Sequence, residues 1–480
     1  MSLNAVDAVV VGSGPNGLAA AITLAKAGKS VIVLEANETI GGAARSAELT
    51  EPGFIHDLGS AIHPMVQASP FFKGIYSDLI DHGLNWVDPP AGAAHPLDDG
   101  RAGIAWRDFD RTIEGLDTDG AAYRRYYKTW IKNVDPLIDL ALQPLLRVPG
   151  NPLVGARFGA TAGIPAATTA GRVWKSDEAQ GLFAGHAAHA ILPLTAPFTS
   201  SFGVLLGSLV HSSGWGFPAG GAQSLIDAMA SLLRSLGGEI RTGQPVASMD
   251  DLPDARATIF SLSPSQLESI VGPRFPSKYR QRLGKWQYGP GAFKIDYALH
   301  EPIPWTNRDV AQAGTVHVGG TLSEIVEAEA EVADGKHAER PFVLVAQHSN
   351  FDPSRAPEGK HTAWVYCHVP NGSTVDQTQA IESQLERFAP GFRSTVIARR
   401  TTTTQMFETN NMNLVGGDIG GGSYVGTQLF ARPMAQANPF DTADPAIFLG
   451  SASTTPGAGV HGMAGAGAAN RVLEKVLDAP

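Results

Sequence analysis

The stretch from Val6 to Glu35 constrains this chain more than any other. Val6-Asp7-Ala8-Val9-Val10-Val11 is a short β-branched run, and Gly12-Ser13-Gly14-Pro15-Asn16-Gly17 follows at once. From Leu18 the apolar spacing becomes helical (Leu18, Ala19, Ile22, Leu24, Ala25) and stops at Gly28, the residue a helix C-terminus favours. A second apolar strand, Val31–Leu34, ends in Glu35, 18 residues after Gly17. The order strand, glycine triplet, helix, strand, acid is that of a βαβ unit that grips an adenine dinucleotide. Gly12 permits the tight turn and Gly14 the approach of a pyrophosphate. Gly17 lets helix pack on strand, the helix N-terminus offers Pro15 and Asn16 to the phosphates, and Glu35 with Ala36 reaches a ribose.

The continuation narrows the ligand. Gly41-Gly42-Ala43-Ala44-Arg45 offers a second close backbone approach and a cation for a phosphate or a flavin edge. Pro52-Gly53-Phe54-Ile55-His56-Asp57-Leu58-Gly59-Ser60-Ala61-Ile62-His63-Pro64 then replaces the further βαβ repeat that a nicotinamide domain usually shows. This pattern resembles the FAD-binding family of phytoene desaturases, flavin amine oxidases and protoporphyrinogen oxidase. The resemblance implies that the glycine pair, Arg45 and the Gly59-Ser60-Ala61 turn lie along FAD. Gly214–Gln223 leads into a helix predicted over Ser224–Leu236, and the family likeness returns the chain there to the FAD domain. It places a short strand at Val246, whose backbone meets the adenine, and a further sheet strand at Ala257–Ser261.

At the other end, Ile447-Phe448-Leu449-Gly450 reads as a strand, followed by Ser451 and then Thr455-Pro456-Gly457-Ala458-Gly459-Val460-His461-Gly462-Met463. The second glycine triplet lacks a following strand and ribose acid, so it is read as a helix start aimed at a flavin. This closing segment is similar to that of phytoene desaturase-like flavoproteins. Val415–Ile419 and Gln428–Pro433 resemble the pyridine nucleotide-disulphide oxidoreductase domain-containing branch. No ring stands where amine oxidases place one after Phe448; Thr454-Thr455-Pro456 occupies that place, and no attachment signature suggests covalent flavin.

The fold expected is α/β: a Rossmann-like FAD-binding domain of the amine oxidase/phytoene desaturase type with an inserted mixed-sheet substrate domain. Residues 1–70, 214–263 and 442–480 are assigned to the first, and 71–213 and 264–441 to the second, with strand-like runs at Ala292–Tyr297, Pro341–Gln347 and Thr362–Val369. The implied activity is FAD-dependent hydride removal from a C–C or C–N bond of an apolar or partly apolar small molecule, with non-covalent FAD and an unidentified electron acceptor. Alternatives are a saturase or isomerase working with reduced flavin, and a flavin-bound interaction protein of little catalysis. The candidate catalytic group is His461, with a structural histidine at a helix start as the other reading; His63 and Arg432 are secondary candidates.

Composition excludes other classes. Thirty-six basic against 46 acidic residues argue against a nucleic-acid partner. A single cysteine, Cys367, in an alternating strand pattern rules out an intrachain disulfide, fits a cytoplasmic setting and reads as a buried, inert thiol. No metal site, secretion signal or membrane span is expected. Ala179–Ile226 contains no Asp, Glu, Lys or Arg and reads either as an interior layer or as the lining of an apolar pocket. Tyr123, Tyr126, Tyr127 and Trp130 alternate with Arg124, Arg125, Lys128 and Lys132. That pattern is either a packed helix with snorkelling cations or one resting peripherally on a membrane.

Overall fold

The computed structural model describes residues 6–144 and 149–478. A five-stranded, all-parallel sheet runs in the order Ile447–Leu449, Ala255–Phe260, Val6–Val11, Val31–Leu34, Glu239–Arg241. Three distant parts of the chain thus meet beside the first strand. A parallel sheet must be covered on both faces, which explains the unbroken apolar runs. Val10, Val33 and Ile259 face the helices Pro15–Lys26, Ala222–Ser235 and Met463–Val472. Val9, Ile32 and Phe260 face Leu267, Ile270 and Val271. The helix Pro264–Val271 and Leu283 beyond it, placed by the sequence with the substrate side, therefore pack on the dinucleotide sheet. So do Phe72, Ile75 and Leu79 on its other face, because that face has apolar area left between the helices.

The second sheet has seven strands, ordered Val396–Thr402, Gly291–Leu299, His361–Val369, Val343–Ala346, Ala313–Val318, Ala91–Pro96, Ala102–Trp106. Only the pair Ala313–Val318 with Ala91–Pro96 is parallel. Strand alternation sorts the side chains. Phe293, Ile295, Val345, Val365 and Cys367 point into one core with Ile381, Leu385 and Phe388 of a covering helix. Burial pushes the Cys367 thiol well above its ordinary range, so it is an inert core group. Ala292, Lys294, Leu344, Trp364 and Tyr366 line the cavity described below.

The helices between residues 109 and 210 close over the sheet. In Gly120–Lys132 the buried Tyr123, Tyr127 and Trp130 sit in one core with Trp174 and Phe183, while Arg124, Arg125 and Lys128 are exposed. Tyr123 Oη pairs with His211 Nε2 at 2.9 Å and Tyr127 Oη donates to the Gly203 carbonyl at 2.9 Å. Its aromatic face thus packs inward, and the reading of this helix as a membrane-resting surface is set aside. Among the described residues no helix is long and apolar enough to cross a membrane.

The two sheets are joined through Asp57, which is fully buried. Its Oδ2 accepts from Arg355 at 2.7 Å; its Oδ1 accepts from Ser46 Oγ at 2.6 Å and from Ala222 N at 2.8 Å. Ser46 Oγ in turn accepts from Gln223 N at 3.1 Å. The start of helix Ala222–Ser235 is thus capped by side chains remote in sequence. Residue 221 is glycine (φ +114°) because a Cβ there would overlap Ser46 Oγ. Burial opposes the charge on Asp57, yet Arg355, His348 and these hydrogen bonds hold its carboxyl well below the usual carboxylate range. A depressed carboxyl stabilises the fold above its unfolded pKa and ceases to as pH falls through the folded value. Asp57→Asn is therefore expected to cost about 3–5 kcal/mol at pH 7 by leaving Arg355 unpaired. Denaturant midpoints measured against pH should show that difference narrowing below about pH 4.

Candidate functional site: a cavity joining the glycine turns to the large sheet

One cavity of about 560 Å³ reaches from the first glycine turn to the large sheet. Gly12, Gly14, Pro15, Asn16, Glu35, Ala36, Gly42, Ala43, Ala44, Gly59, Ser60, Ala61, Val246, Ser451, Gly459 and Val460 line it. Ser13, Gly17, Gly41, Arg45, Gly450, His461 and Met463 stand behind that lining and shape it. Gly12 needs its left-handed φ of +99°, and a Cβ on Gly17 would overlap the Gly12 carbonyl oxygen. Gly14 has an ordinary φ of −67°, and a Cβ there would meet only Gly42 Cα, at 3.7 Å, so its open side is the cavity. Gly450 serves strand-to-helix packing: a Cβ on it would lie 2.7 Å from that of Ala468.

The turn is built to receive an anion. Helix Pro15–Lys26 has no side-chain cap and no acid in its first turn. Uncapped N–H groups at a helix start favour phosphate. Glu35 is more engaged than the spacing suggested. Its Oε2 accepts from Ser13 N at 3.0 Å and Ser13 Oγ at 2.6 Å, and its Oε1 accepts from Asn37 N and Nδ2, both at 2.9 Å. The carboxylate therefore ties the first glycine turn to the end of the second strand, and a ribose hydroxyl would share these sites. Val246 lies in extended loop beyond the strand Glu239–Arg241, held by Gln244 N donating to Glu35 O at 2.8 Å.

Three candidates are held by the protein itself: Arg45, read as available to a ligand, and Arg432 and His461, for which a structural reading stood beside the functional one. Arg45 donates to Gly42 O at 2.9 Å, Thr39 Oγ1 at 3.1 Å and Asn410 O at 2.8 Å, so it clamps the second glycine turn. Buried Arg432 lies over the rings of Tyr424 and Trp286 and donates to the carbonyls of Gly421, Gly422 and Ser423, bracing the wall loop Gly420–Tyr424. His461 is enclosed: Nδ1 accepts from Met463 N at 3.1 Å and Nε2 meets Gly457 O at 3.2 Å. Of its two readings the geometry supports the structural one, a cap for helix Met463–Val472. His63 does line the cavity; its Nε2 pairs with Ser60 Oγ at 2.6 Å and its Nδ1 has no partner.

The far wall holds residues the motifs did not point to. Ile191, Phe202, Leu206 and Trp215 come from the uncharged stretch, which serves as both interior layer and pocket lining. Trp364 and Tyr366 add aromatic area, and residues 409–414 cross the glycine end. Lys294, fully buried, is held by Asp296 Oδ2 at 2.5 Å. Burial raises the Asp296 carboxyl to about 6 despite that partner. The signal was legible: two charges at alternate positions of an otherwise apolar strand point to one face and pair there. Glu35 and Lys294 are the only carboxylate and ammonium groups among the described lining residues.

His461→Ala is expected to lower stability by about 2–4 kcal/mol through the lost cap and the space left behind. Urea midpoints at pH 7 for wild type and variant read that loss. A broader consequence follows from burial, which lowers His461, His63, His186 and His348 to about 4 and His56 and His211 to about 3. The unfolded chain binds these protons first, so stability should fall steeply as pH drops from about 6.5 to about 4, read as a melting temperature against pH.

Residues 10–79 match the family model described as an NAD(P)-binding Rossmann-like domain. Pyridine nucleotide-disulfide oxidoreductase domain-containing protein 2 of Rattus norvegicus is 26% identical over 97% of this chain and 93% of its own length. The neurosporene-forming phytoene desaturase of Rhodobacter capsulatus is 25% identical over 98% and 94%. Among solved structures, an oxidoreductase from Methanosarcina mazei superposes with a TM-score of 0.65 at 19% identity, covering 98% of this chain and all of that one. Putrescine oxidase bound to putrescine superposes at 0.59 and 17%, with 98% of each chain covered. These structures share the fold, a Rossmann-like domain joined to a mixed sheet, and the sequence relatives extend over nearly the whole chain. Over nearly its whole length the chain is thus similar to phytoene desaturase-like oxidoreductases, and its N-terminal part matches a Rossmann-like dinucleotide-binding domain.

Proposed function

We propose that this protein holds FAD non-covalently along the glycine-lined part of the cavity and oxidises a C–C or C–N bond of an apolar or partly apolar small molecule, a hydride leaving a C–H of that bond for the flavin and a proton leaving the neighbouring carbon or nitrogen for solvent. The observation behind this reading is the continuity of the cavity: an anion-receptive helix start and an apolar, aromatic wall share one space. Bound there, FAD supplies the hydride acceptor. The chain supplies binding and position. Gly14 and Gly42 bring backbone to the diphosphate, Glu35 with Ser13 and Asn37 frames the ribose end, and Val246 lies at the adenine end. On the other side Phe202, Leu206, Trp215, Leu344 and Tyr366 exclude water and orient an apolar skeleton. Lys294 is held in place by Asp296 and is the one ammonium at that wall.

The test begins with cofactor content. Purified protein supplemented with FAD should retain about one FAD per chain, released on denaturation as expected for non-covalent binding. Gly14→Val keeps an ordinary backbone conformation but fills the glycine end, and should weaken FAD binding by about 100-fold or more, the equivalent of roughly 3 kcal/mol of steric conflict. Anaerobic mixing with a panel of uncharged apolar compounds should then bleach the flavin absorbance. Absence of bound FAD in the supplemented wild type would sink the reading. FAD that stays oxidised with every compound would favour an interaction protein, and turnover only after prior reduction would favour a saturase or isomerase.

A further inference from the structure

Three buried histidines, His95, His186 and His317, lie behind the apolar wall, and the half-buried His189 stands in it. His95, on strand Ala91–Pro96, gives Nε2 to the Gly320 carbonyl at 2.6 Å, and His186 gives Nδ1 to Leu182 O at 2.8 Å. His317, on strand Ala313–Val318, and His189, just past helix Asp177–Ala188, meet each other Nε2 to Nε2 at 3.0 Å. Of the four, only His189 lines the cavity, beside Trp215, Thr315 and Leu344. Its Nδ1 makes no hydrogen bond among the described residues. The apolar wall therefore carries one free polar atom from a pair of rings, and none of the motifs or site roles above uses it.

The pair is uncharged. Burial lowers His189 to about 3 and His317 well below its ordinary range, and the neighbouring His186 opposes a charge on either. The other groups facing them do not restore it: His95 and His186 are themselves lowered by burial, Trp215 and Phe342 present rings, and Gly185 packs on the His317 ring so closely that a Cβ would overlap Nδ1. Two neutral imidazoles joined through their Nε2 atoms share one proton, and its place decides both Nδ1 atoms. His317 Nδ1 is buried with no partner. A buried N–H without an acceptor is rarer than a buried lone pair without a donor. The proton arrangement that avoids it puts the lone pair on His317 Nδ1, has His317 Nε2–H donate to His189 Nε2, and leaves His189 Nδ1–H facing the cavity.

We infer that the His189–His317 pair is the specificity element of the substrate wall, with His189 Nδ1–H donating to a carbonyl oxygen of an otherwise apolar, uncharged substrate. This rests on the proposed function in placing a substrate at that wall. A pure hydrocarbon leaves the donor unsatisfied, and an ammonium finds no acid there, because Glu35 belongs to the glycine end and Asp296 is held by Lys294. A pocket built to bond one oxygen discriminates against the analogue without it far more strongly than apolar fit does.

Equilibrium dialysis reads this without relying on turnover or on flavin colour. The probes are 4-phenyl-2-butanone, butylbenzene and 1-methyl-3-phenylpropylamine, which share a skeleton and differ in the oxygen, its absence and an ammonium. FAD content is measured separately on every sample. Wild type should bind the ketone at least about 10-fold tighter than butylbenzene or the amine. His189→Leu should bring ketone and hydrocarbon to equal affinity while butylbenzene binding persists. His189→Gln, which keeps an N–H donor, should restore part of the ketone preference, and His317→Phe should weaken it by freeing the His189 ring. Equal binding of ketone and hydrocarbon by wild type, a preference for the amine, failure of the ketone to bind, or a ketone preference that survives His189→Leu each overturns the inference. Any of these with full FAD content leaves the oxidoreductase reading standing. Ketone selectivity in a protein without FAD would instead support this inference while sinking the cofactor assignment.

Discussion

A single buried carboxylate, Asp57, sets the geometry on which the cavity depends. It receives Arg355 from beyond the large sheet, Ser46 from the hairpin after the second glycine turn, and the first N–H of helix Ala222–Ser235. The backbone of the same residue accepts the Trp364 indole N–H at 3.1 Å, and Arg355 Nε donates to Ile55 O at 3.1 Å. Helix, hairpin and large sheet are thus referred to one point. A buried charge this fully paired tolerates little displacement, since moving any partner leaves another unsatisfied. The walls of a cavity shared by two sheets keep their spacing for that reason.

The division of labour within the cavity follows from how each wall is made. Its glycine end is largely backbone, brought close by residues that lack side chains, secured from behind by Arg45 and Ser13 and tied together by Glu35 in the lining itself. Its far end is side chain, selected by the alternation of the large sheet and by helices of the uncharged stretch. Polar groups at the far end are few and each is either paired, as Lys294 with Asp296, or neutral, as His189 with His317. Such a surface suits a ligand with little charge.

Much of the dinucleotide end was legible in the sequence because its determinants are local. A strand, a turn and a helix start define Gly12, Gly14 and Gly17 within six residues, and the spacing to Glu35 follows from one helix and one strand. The closing strand Ile447–Leu449 and helix Met463–Val472 were equally readable. Roles that depend on a distant partner were not. Arg45 looked available to a ligand until Asn410 supplied a carbonyl, and His461 stood between a reactive and a structural reading until Met463 and Gly457 occupied both its nitrogens. The aromatic helix Gly120–Lys132 had the same amphipathic pattern for a membrane surface as for a core, and only Trp174 and Phe183 opposite it decide between them.

What the sequence determined by itself is therefore the βαβ unit, its anion-receptive turn and the periodicity of the strands and helices, all consequences of neighbours within one or two turns of chain. The tertiary structure decided which of those faces meet. It turned Asp57 from one residue of a turn-rich segment into the junction, brought Lys294, backed by Asp296, to the far wall of the cavity, and set His189 against His317, 128 residues away. Charge state and hydrogen-bond capacity at that wall come from burial and long-range pairing. The alternation of one strand encodes the pairing of Lys294 with Asp296, but neither the charge state of these groups nor the His189–His317 contact, because those depend on which groups share the same dry space.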